Sequence, residues 1–220
     1  MRLLTIFAHP FRNKYPSAVM DAFHAPLIEA GMDVDILDLQ QEEFDPRFTE
    51  EDHAHFWGGP IPTAVAAAHA RVNNADRLAF IFPVYWWGMP AVMKGWIERV
   101  FTQGWAYKFG DGVEDRGKGA KSSLLGNKPT VLIGIGGSKE ATYRKYGYDD
   151  AMRTQIDVGT FAYCGLADVE SHLIFDVEGD HNADKRAAGL DQVKGIATAF
   201  IAPDRLPRDA KADHLGQQVA

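Results

Sequence analysis

Cysteine is nearly absent: Cys164 is the single one in 220 residues. That excludes an intrachain disulfide and a cysteine-built metal site, and it is the usage of a reducing compartment. Long apolar runs are missing too. None approaches the ~20 residues of a membrane-spanning helix. The opening Met1-Arg2-Leu3-Leu4-Thr5-Ile6-Phe7-Ala8-His9-Pro10 is interrupted too soon for a signal peptide, so the expectation is a cytoplasmic protein. Positive charge is the scarcer sign, 23 Lys+Arg against 30 Asp+Glu for a net charge of -7. Nucleic acid or an anionic membrane as main partner would call for the opposite balance, which leaves room only for a local basic pocket. There is no GxGxxG turn and no phosphate loop ending in GK[ST], which argues against a dinucleotide-fold dehydrogenase and an NTPase. Internal repeats and low-complexity tracts are also missing. His53, His55 and His69 lack a ligand spacing and read as solvent-facing, so no metal is expected. No nucleophile elbow accompanies Asp157, Cys164 and His172, and Cys164 reads as a small core residue.

What is present is an ordinary globular composition, 46% hydrophobic and 24% charged, in a chain long enough for one buried core. Residues 3–8 form an apolar run that reads as a strand buried on both faces. A polar loop follows, and Ser17 or a neighbour opens a helix reaching about Ala30, stopped by Gly31. Residues 34–39 read as the second strand, completing a right-handed βαβ unit. Residues 40–62 show no clear period and read as a surface excursion; 63–74 are alanine-rich and helical. The third strand, 78–82, leads through Pro83-Val84-Tyr85-Trp86-Trp87-Gly88-Met89 into a helix opened by Pro90. Val92, Met93, Trp96, Ile97, Val100 and Phe101 share one side of that helix, while Lys94, Glu98 and Arg99 fall away from it. Residues 110–127 read as a loop, 130–135 as the fourth strand, 152–163 as a helix, 171–177 as the fifth strand and 183–200 as the last helix. The domain is expected over 1–202, with 203–220 as a polar tail that is disordered or wraps a partner.

Five buried strands alternating with helices predict an α/β, flavodoxin-like fold: a parallel sheet in the order 2-1-3-4-5 with helices on both faces. In such a sheet the ligand crevice lies where the first, third and fourth strands end. Three loops converge there: residues 9–17, whose helix N-terminus can seat a phosphate; 83–88, with three aromatic rings; and 134–138, with Gly136-Gly137. The aromatic loop fits a flat partner such as a flavin ring, and equally a dimer contact, since a pocket can be built at a subunit interface. His9 is placed beside the phosphate or ribityl chain of such a cofactor. Among Tyr143, Tyr146 and Tyr148, one is expected to hydrogen-bond the cofactor or donate a proton.

Several segments together resemble the NAD(P)H:quinone oxidoreductase family of DT-diaphorase-like, flavodoxin-2-type flavoproteins. They are Ala8-His9-Pro10, the run from Phe82 to Ala91 with Lys94-Gly95-Trp96-Ile97-Glu98-Arg99-Val100-Phe101, Ala106-Tyr107, Gly136-Gly137-Ser138 and Cys164-Gly165. The resemblance implies a homodimer binding FAD or FMN without a covalent link, with NAD(P)H as electron donor and a quinone as acceptor in a ping-pong cycle. It implies cofactor contacts from His9, Tyr15, Ser17, Pro83, Val84, Tyr85, Trp86, Trp87, Gly136, Gly137 and Arg186, the last leaning the choice toward FAD. Tyr143 matches the family's reactive tyrosine, with Tyr148 in its relay's neighbourhood, and Tyr107 and Phe109 would line the neighbouring subunit's substrate pocket. The family's histidine partner of that tyrosine has no match here; Tyr148 or Asp149 stands in its place. The phosphate loop reads Tyr15-Pro16-Ser17 without the usual asparagine. Alternatives in view are an azo- or nitro-compound reductase, and a regulatory flavoprotein subunit docked on a potassium-efflux-type transporter.

Overall fold

Alternate residues of the central strands face opposite helical layers, and the apolar side chains sort by that alternation. The computed structural model describes residues 1–108, 122–123 and 125–202. In chain order the strands are β1 (Arg2–Phe7), β2 (Asp33–Asp38), β3 (Arg77–Pro83), β4 (Tyr107–Lys108), β5 (Ser122–Ser123), β6 (Thr130–Ile135) and β7 (Val169–Ile174). Five of them form one parallel sheet in the order β2-β1-β3-β6-β7, the succession 2-1-3-4-5 expected for the five core strands. The short β4 and β5 pair antiparallel beside it.

Leu3, Phe7, Ala79, Ile81, Val131 and Ile133 pack under helices α1 (Tyr15–Glu29) and α7 (Ala183–Phe200). Leu4, Ile6, Leu78, Phe80, Phe82 and Leu132 face the opposite layer. That layer contains α3 (Thr63–Asn74), α4 (Ala91–Val100) and the helical stretch after β6. The stretch begins with α5 (Glu140–Tyr146) and α6 (Tyr148–Met152), widens into a π-helical segment over Arg153–Phe161 and closes with a 3-10 turn at Ala162–Cys164. Cys164 is buried, and burial pushes its thiol up to about 12, so it is an inert core residue.

Several expectations are corrected. Residues 40–62 contain a short helix, α2 (Glu50–Phe56). Its capping box uses aspartate: Asp52 N–H donates to the Thr49 hydroxyl oxygen (3.2 Å), and Thr49 N–H donates to the Asp52 carboxylate (2.8 Å). Arg99 does not point to solvent. Its Nε donates to Asp52 Oδ2 at 2.9 Å, its Nη1 donates to the Asp45 carbonyl at 2.7 Å, and the guanidinium lies over the Phe44 ring. A helix wheel cannot foresee that a folded excursion covers its polar side. Gly95 permits the docking, since a Cβ there would sit 2.3 Å from the Pro46 carbonyl oxygen.

His69 is buried rather than solvent-facing: Nε2 lies 2.8 Å from the Val100 carbonyl oxygen and the ring stacks on Trp105 at 3.7 Å. Of the residues expected to open α1, Ser17 or a neighbour, it is Tyr15 that does, and the Ser17 hydroxyl donates back to the Phe11 carbonyl at 3.3 Å. The helix expected from residue 152 begins at Tyr148, and the last core strand ends at Ile174 rather than 177. The loop predicted over 110–127 lies mostly outside the described residues, as do Phe109 and the tail 203–220.

Candidate functional site

Three strand ends, those of β1, β3 and β6, deliver their loops to one edge of the sheet. The β1–α1 loop is pinned at its middle by Arg12, whose Nε lies 2.5 Å from Asp38 Oδ2 at the end of β2 and whose guanidinium covers the Phe7 ring. His9 closes a small local ring, with Nδ1 2.8 Å from the Phe11 carbonyl oxygen. Among the described residues, the backbone N–H groups of Asn13, Lys14 and Tyr15 form no intrachain hydrogen bond, so the first turn of α1 presents free donors. Tyr15 spends its hydroxyl on the Arg186 carbonyl (2.9 Å), and burial raises its ionisation above the usual tyrosine value although Arg186 pulls the other way. Arg186 in turn donates through Nη1 to the carbonyls of Val177 (3.1 Å) and Gly179 (2.7 Å). Its guanidinium therefore braces the loop after β7. A cavity of about 530 Å³ opens between this arginine and the loop, lined by Arg12, Lys14, Tyr15 and Ser17.

The β3–α4 loop is tighter. Val84 N–H donates to the Ile135 carbonyl (2.8 Å), fastening the loop to β6. Tyr85 and Gly88 then exchange two backbone hydrogen bonds, each 3.1 Å. The two residues between them, Trp86 and Trp87, have φ of 48° and 60°. Both central positions of this two-residue turn are left-handed, a geometry that Asn and Gly ordinarily supply. Each tryptophan so held costs about 1–3 kcal/mol of backbone strain, which the surrounding structure must over-determine. Trp86 is 95% exposed. Trp87 is stacked on Tyr148 at 3.8 Å and meets Tyr143 edge-on at 5.3 Å.

At the end of β6, Gly136 N–H donates to the Ile174 carbonyl (2.7 Å). The glycines are used by the protein itself. A Cβ on Gly136 would stand 2.6 Å from the Tyr143 hydroxyl, and one on Gly137 would stand 2.4 Å from the carboxyl carbon of Glu178. Their smallness admits two side chains, where the sequence suggested close approach of a ligand to bare backbone. Tyr143 is 1% exposed, and its ionisation is raised by burial and then by the charge of Glu178. Tyr148 is half-buried and Tyr146 exposed, so the three tyrosines separate by burial. Arg144 pairs with Asp149 at 3.2 Å. Among the described residues, the backbone N–H groups of Trp86, Trp87 and Gly137 have no intrachain acceptor. Flat rings, free amides and a buried tyrosine hydroxyl fit an isoalloxazine better than a metal; no group of metal-holding side chains is found among the described residues.

Tyr107 is not part of this cluster. Its ring pairs with Tyr163 at 5.4 Å, and the two line a separate cavity of about 450 Å³ with Phe48, Phe56 and Phe101. Sequence reasoning missed Arg12, Asp38 and Glu178. Asp38 ends a strand and Arg12 is a lone cation in the loop after β1, the only signals available; Glu178 lies in a polar loop that carries none.

Comparison with known proteins agrees with this architecture. The Flavodoxin_2 family model, described as a flavodoxin-like fold, matches residues 1–196. A Haemophilus influenzae protein named as an NAD(P)H oxidoreductase is 31% identical over 178 residues, 80% of this chain and 85% of that protein. NAD(P)H dehydrogenase [quinone] 1 of Cavia porcellus is 31% identical over 196 residues, 80% of this chain and 69% of its own length. Among solved structures, an NAD(P)H:quinone oxidoreductase from Methanothermobacter marburgensis superposes with a TM-score of 0.80 at 25% identity, covering 92% of this chain and 96% of that one.

Proposed function

The chain belongs to the Flavodoxin_2 family of flavodoxin-like folds, and from that membership we propose that it is a flavin-dependent NAD(P)H oxidoreductase of the NAD(P)H dehydrogenase (quinone) type. The observation that carries the reading is the left-handed Trp86–Trp87 turn at the sheet's ligand-binding edge, beside a buried tyrosine hydroxyl. Strain of this kind is kept where a site is held ready.

When bound, a flavin supplies the redox chemistry, taking hydride from NAD(P)H and passing two electrons to a quinone in alternating half-reactions. The protein's part is to bind and orient. Trp86, Trp87 and Tyr85 offer flat surface to the ring, the amides of Trp86, Trp87 and Gly137 offer donors to its heteroatoms, and Tyr143 offers a hydroxyl that stays protonated. His9, Ser17 and the first turn of α1 are the proposed seat of the ribityl phosphate. The cavity bordered by Lys14 and Arg186 supports FAD over FMN, because it provides room and positive charge beyond that seat. In a homodimer, Tyr107 and Phe109 would line the partner subunit's substrate pocket. No helix among the described residues is long and apolar enough to cross a membrane, as suits a cytoplasmic enzyme.

The test is direct. Protein purified from cells should be yellow, and heat-released supernatant should yield FAD, or FMN in its place, by chromatography; it should oxidise NAD(P)H in the presence of a quinone. Colourless protein that takes up neither flavin, or flavin-loaded protein inert toward every quinone tried, overturns the reading.

A further inference from the structure

Glu178 is a charged side chain at the candidate site that no sequence motif predicted. It lies on the loop between β7 and α7, and that loop is bonded to the β6 turn. Val177 N–H donates to the Gly136 carbonyl (3.5 Å), and Asp176 N–H donates to the Ser138 carbonyl (3.1 Å). Asp176 itself has φ of 60°, a left-handed conformation that the tethering enforces. Arg186 grips the carbonyls on either side of Glu178, at Val177 and Gly179, and Asn182 Nδ2 donates to the carbonyl of Glu178 (2.6 Å). So anchored, the carboxylate fills the space that Gly137 leaves, with its oxygens 2.6 and 2.7 Å from the place of the missing Cβ.

The charge is uncompensated. Glu178 forms no ion pair with the described residues, and the nearby cation, Arg186, is engaged with backbone oxygens. The titratable groups around this turn are Tyr143 from α5, Tyr148 from α6, Glu178, Arg186 and Asp176, whose carboxylate accepts from Asn182 Nδ2 at 3.3 Å, with His181 packed under Gly179. Tyr143 is the neutral donor among them.

We propose that Glu178 sets the electrical character of this site, opposing the negative charge that a bound flavin gains on reduction and so lowering its reduction potential. The proposal rests on the flavin reading above. Hydride brings two electrons and one proton, so the ring carries one extra negative charge until a second proton arrives. A carboxylate fixed beside it raises the energy of that charge, and the exposure of Glu178 to water limits the size of the effect without changing its sign. The reduced cofactor is then a stronger reductant toward the acceptor, while its loading by NAD(P)H is less favourable. Tyr143 moderates the effect by directing a hydroxyl dipole into the same turn.

The experiment compares wild type with Glu178→Gln and Glu178→Lys, each loaded with the flavin it retains, by reductant titration against reference dyes at pH 7. Glu178 is exposed, so both variants should fold. The midpoint potential should become more positive in the order wild type, Gln, Lys. Flavin reduction by NAD(P)H should quicken and reoxidation by quinone should slow. In flavin-free protein, the alkaline absorbance titration of Tyr143, identified by difference against Tyr143→Phe, should move to lower pH in Glu178→Gln. Unchanged potentials in flavin-loaded variants overturn the proposal and leave the flavin reading intact. Wild-type protein that binds no flavin overturns both.

Discussion

The two helical layers on either side of the sheet are made of different materials. Under α1 and α7 the core is mostly aliphatic, and its rings are few, with Phe23 and Phe200 meeting at 6.0 Å. The opposite layer is a chain of rings. Phe80, Trp96, Phe101 and Phe161 close a circuit of four edge contacts at its centre, and Trp87, Tyr143 and Tyr148 continue the aromatic lining at the sheet's ligand edge. Each layer opens at its rim: the aliphatic one into the polar cavity of about 530 Å³ between α1 and Arg186, the aromatic one into flat ring faces and a cavity of about 450 Å³ along α2 and α4. Away from the rim one side of the sheet is packed almost wholly with aliphatic chains, and the other with rings that run out to the ligand edge.

The largest expected effect lies on the aliphatic side. Replacing Phe23, fully buried, by alanine should cost about 3–5 kcal/mol in denaturant unfolding while leaving turnover per folded molecule unchanged. A matching loss of turnover in the folded fraction would mean that the division between the layers is wrong.

Next comes the clamp that docks α2 onto α4. Asp52→Ala strands Arg99 in a buried setting and should cost about 3 kcal/mol, the lower end for a broken buried pair. The double variant Asp52→Leu with Arg99→Met should recover much of that loss; if it is as unstable as the single one, the charge is not what the site needs.

Acid should strike the aliphatic layer through His24. Burial, and then the neighbouring Arg12, depress its pKa from 6.5 to about 4, and its Nε2 lies 2.8 Å from the Thr5 hydroxyl. The unfolded chain binds the proton first as pH falls. The neutral ring's contribution is therefore complete above pH 6.5 and is lost as pH falls toward 4, at most about 3 kcal/mol. His24→Gln should flatten the stability profile in that window, though only in part, because burial lowers the pKa of His69 too.

The smallest effect on stability has the opposite sign. Trp86→Gly relieves a left-handed tryptophan that packs on almost nothing, so folding stability should rise by about 1 kcal/mol. NAD(P)H-dependent quinone reduction should fall at least tenfold, separating strain from function in one variant. A stability loss would show that the turn is not strained.

Most of the scaffold could be read in advance because its signals are local. The helices at Thr63–Asn74 and Ala183–Phe200 and the strand Thr130–Ile135 carry their own periodicity and breakers, and the strand order follows from their alternation. The rest depends on distant partners. Arg99 finds Asp52 forty-seven positions away, and His69 finds Val100 across thirty-one. Neither pairing leaves a mark on its own segment. The aromatic loop was visible as composition, but its left-handed corners were not, because no Asn or Gly stands there to announce them. Gly136 and Gly137 were noticed for the room they leave, while the side chains that take up that room come from elsewhere in the chain.

The outward-turned Trp86 has an optical consequence. Of the five tryptophans, Trp96 is fully buried, and Trp87 and Trp105 lie against the rings of Tyr148 and His69. Only Trp57, at 74%, and Trp86 are largely in water. The red edge of the protein's fluorescence therefore comes from two indoles, one on α2's C-terminal end and one on the strained turn. A flat molecule settling on the turn darkens one and leaves the other as a built-in reference lamp.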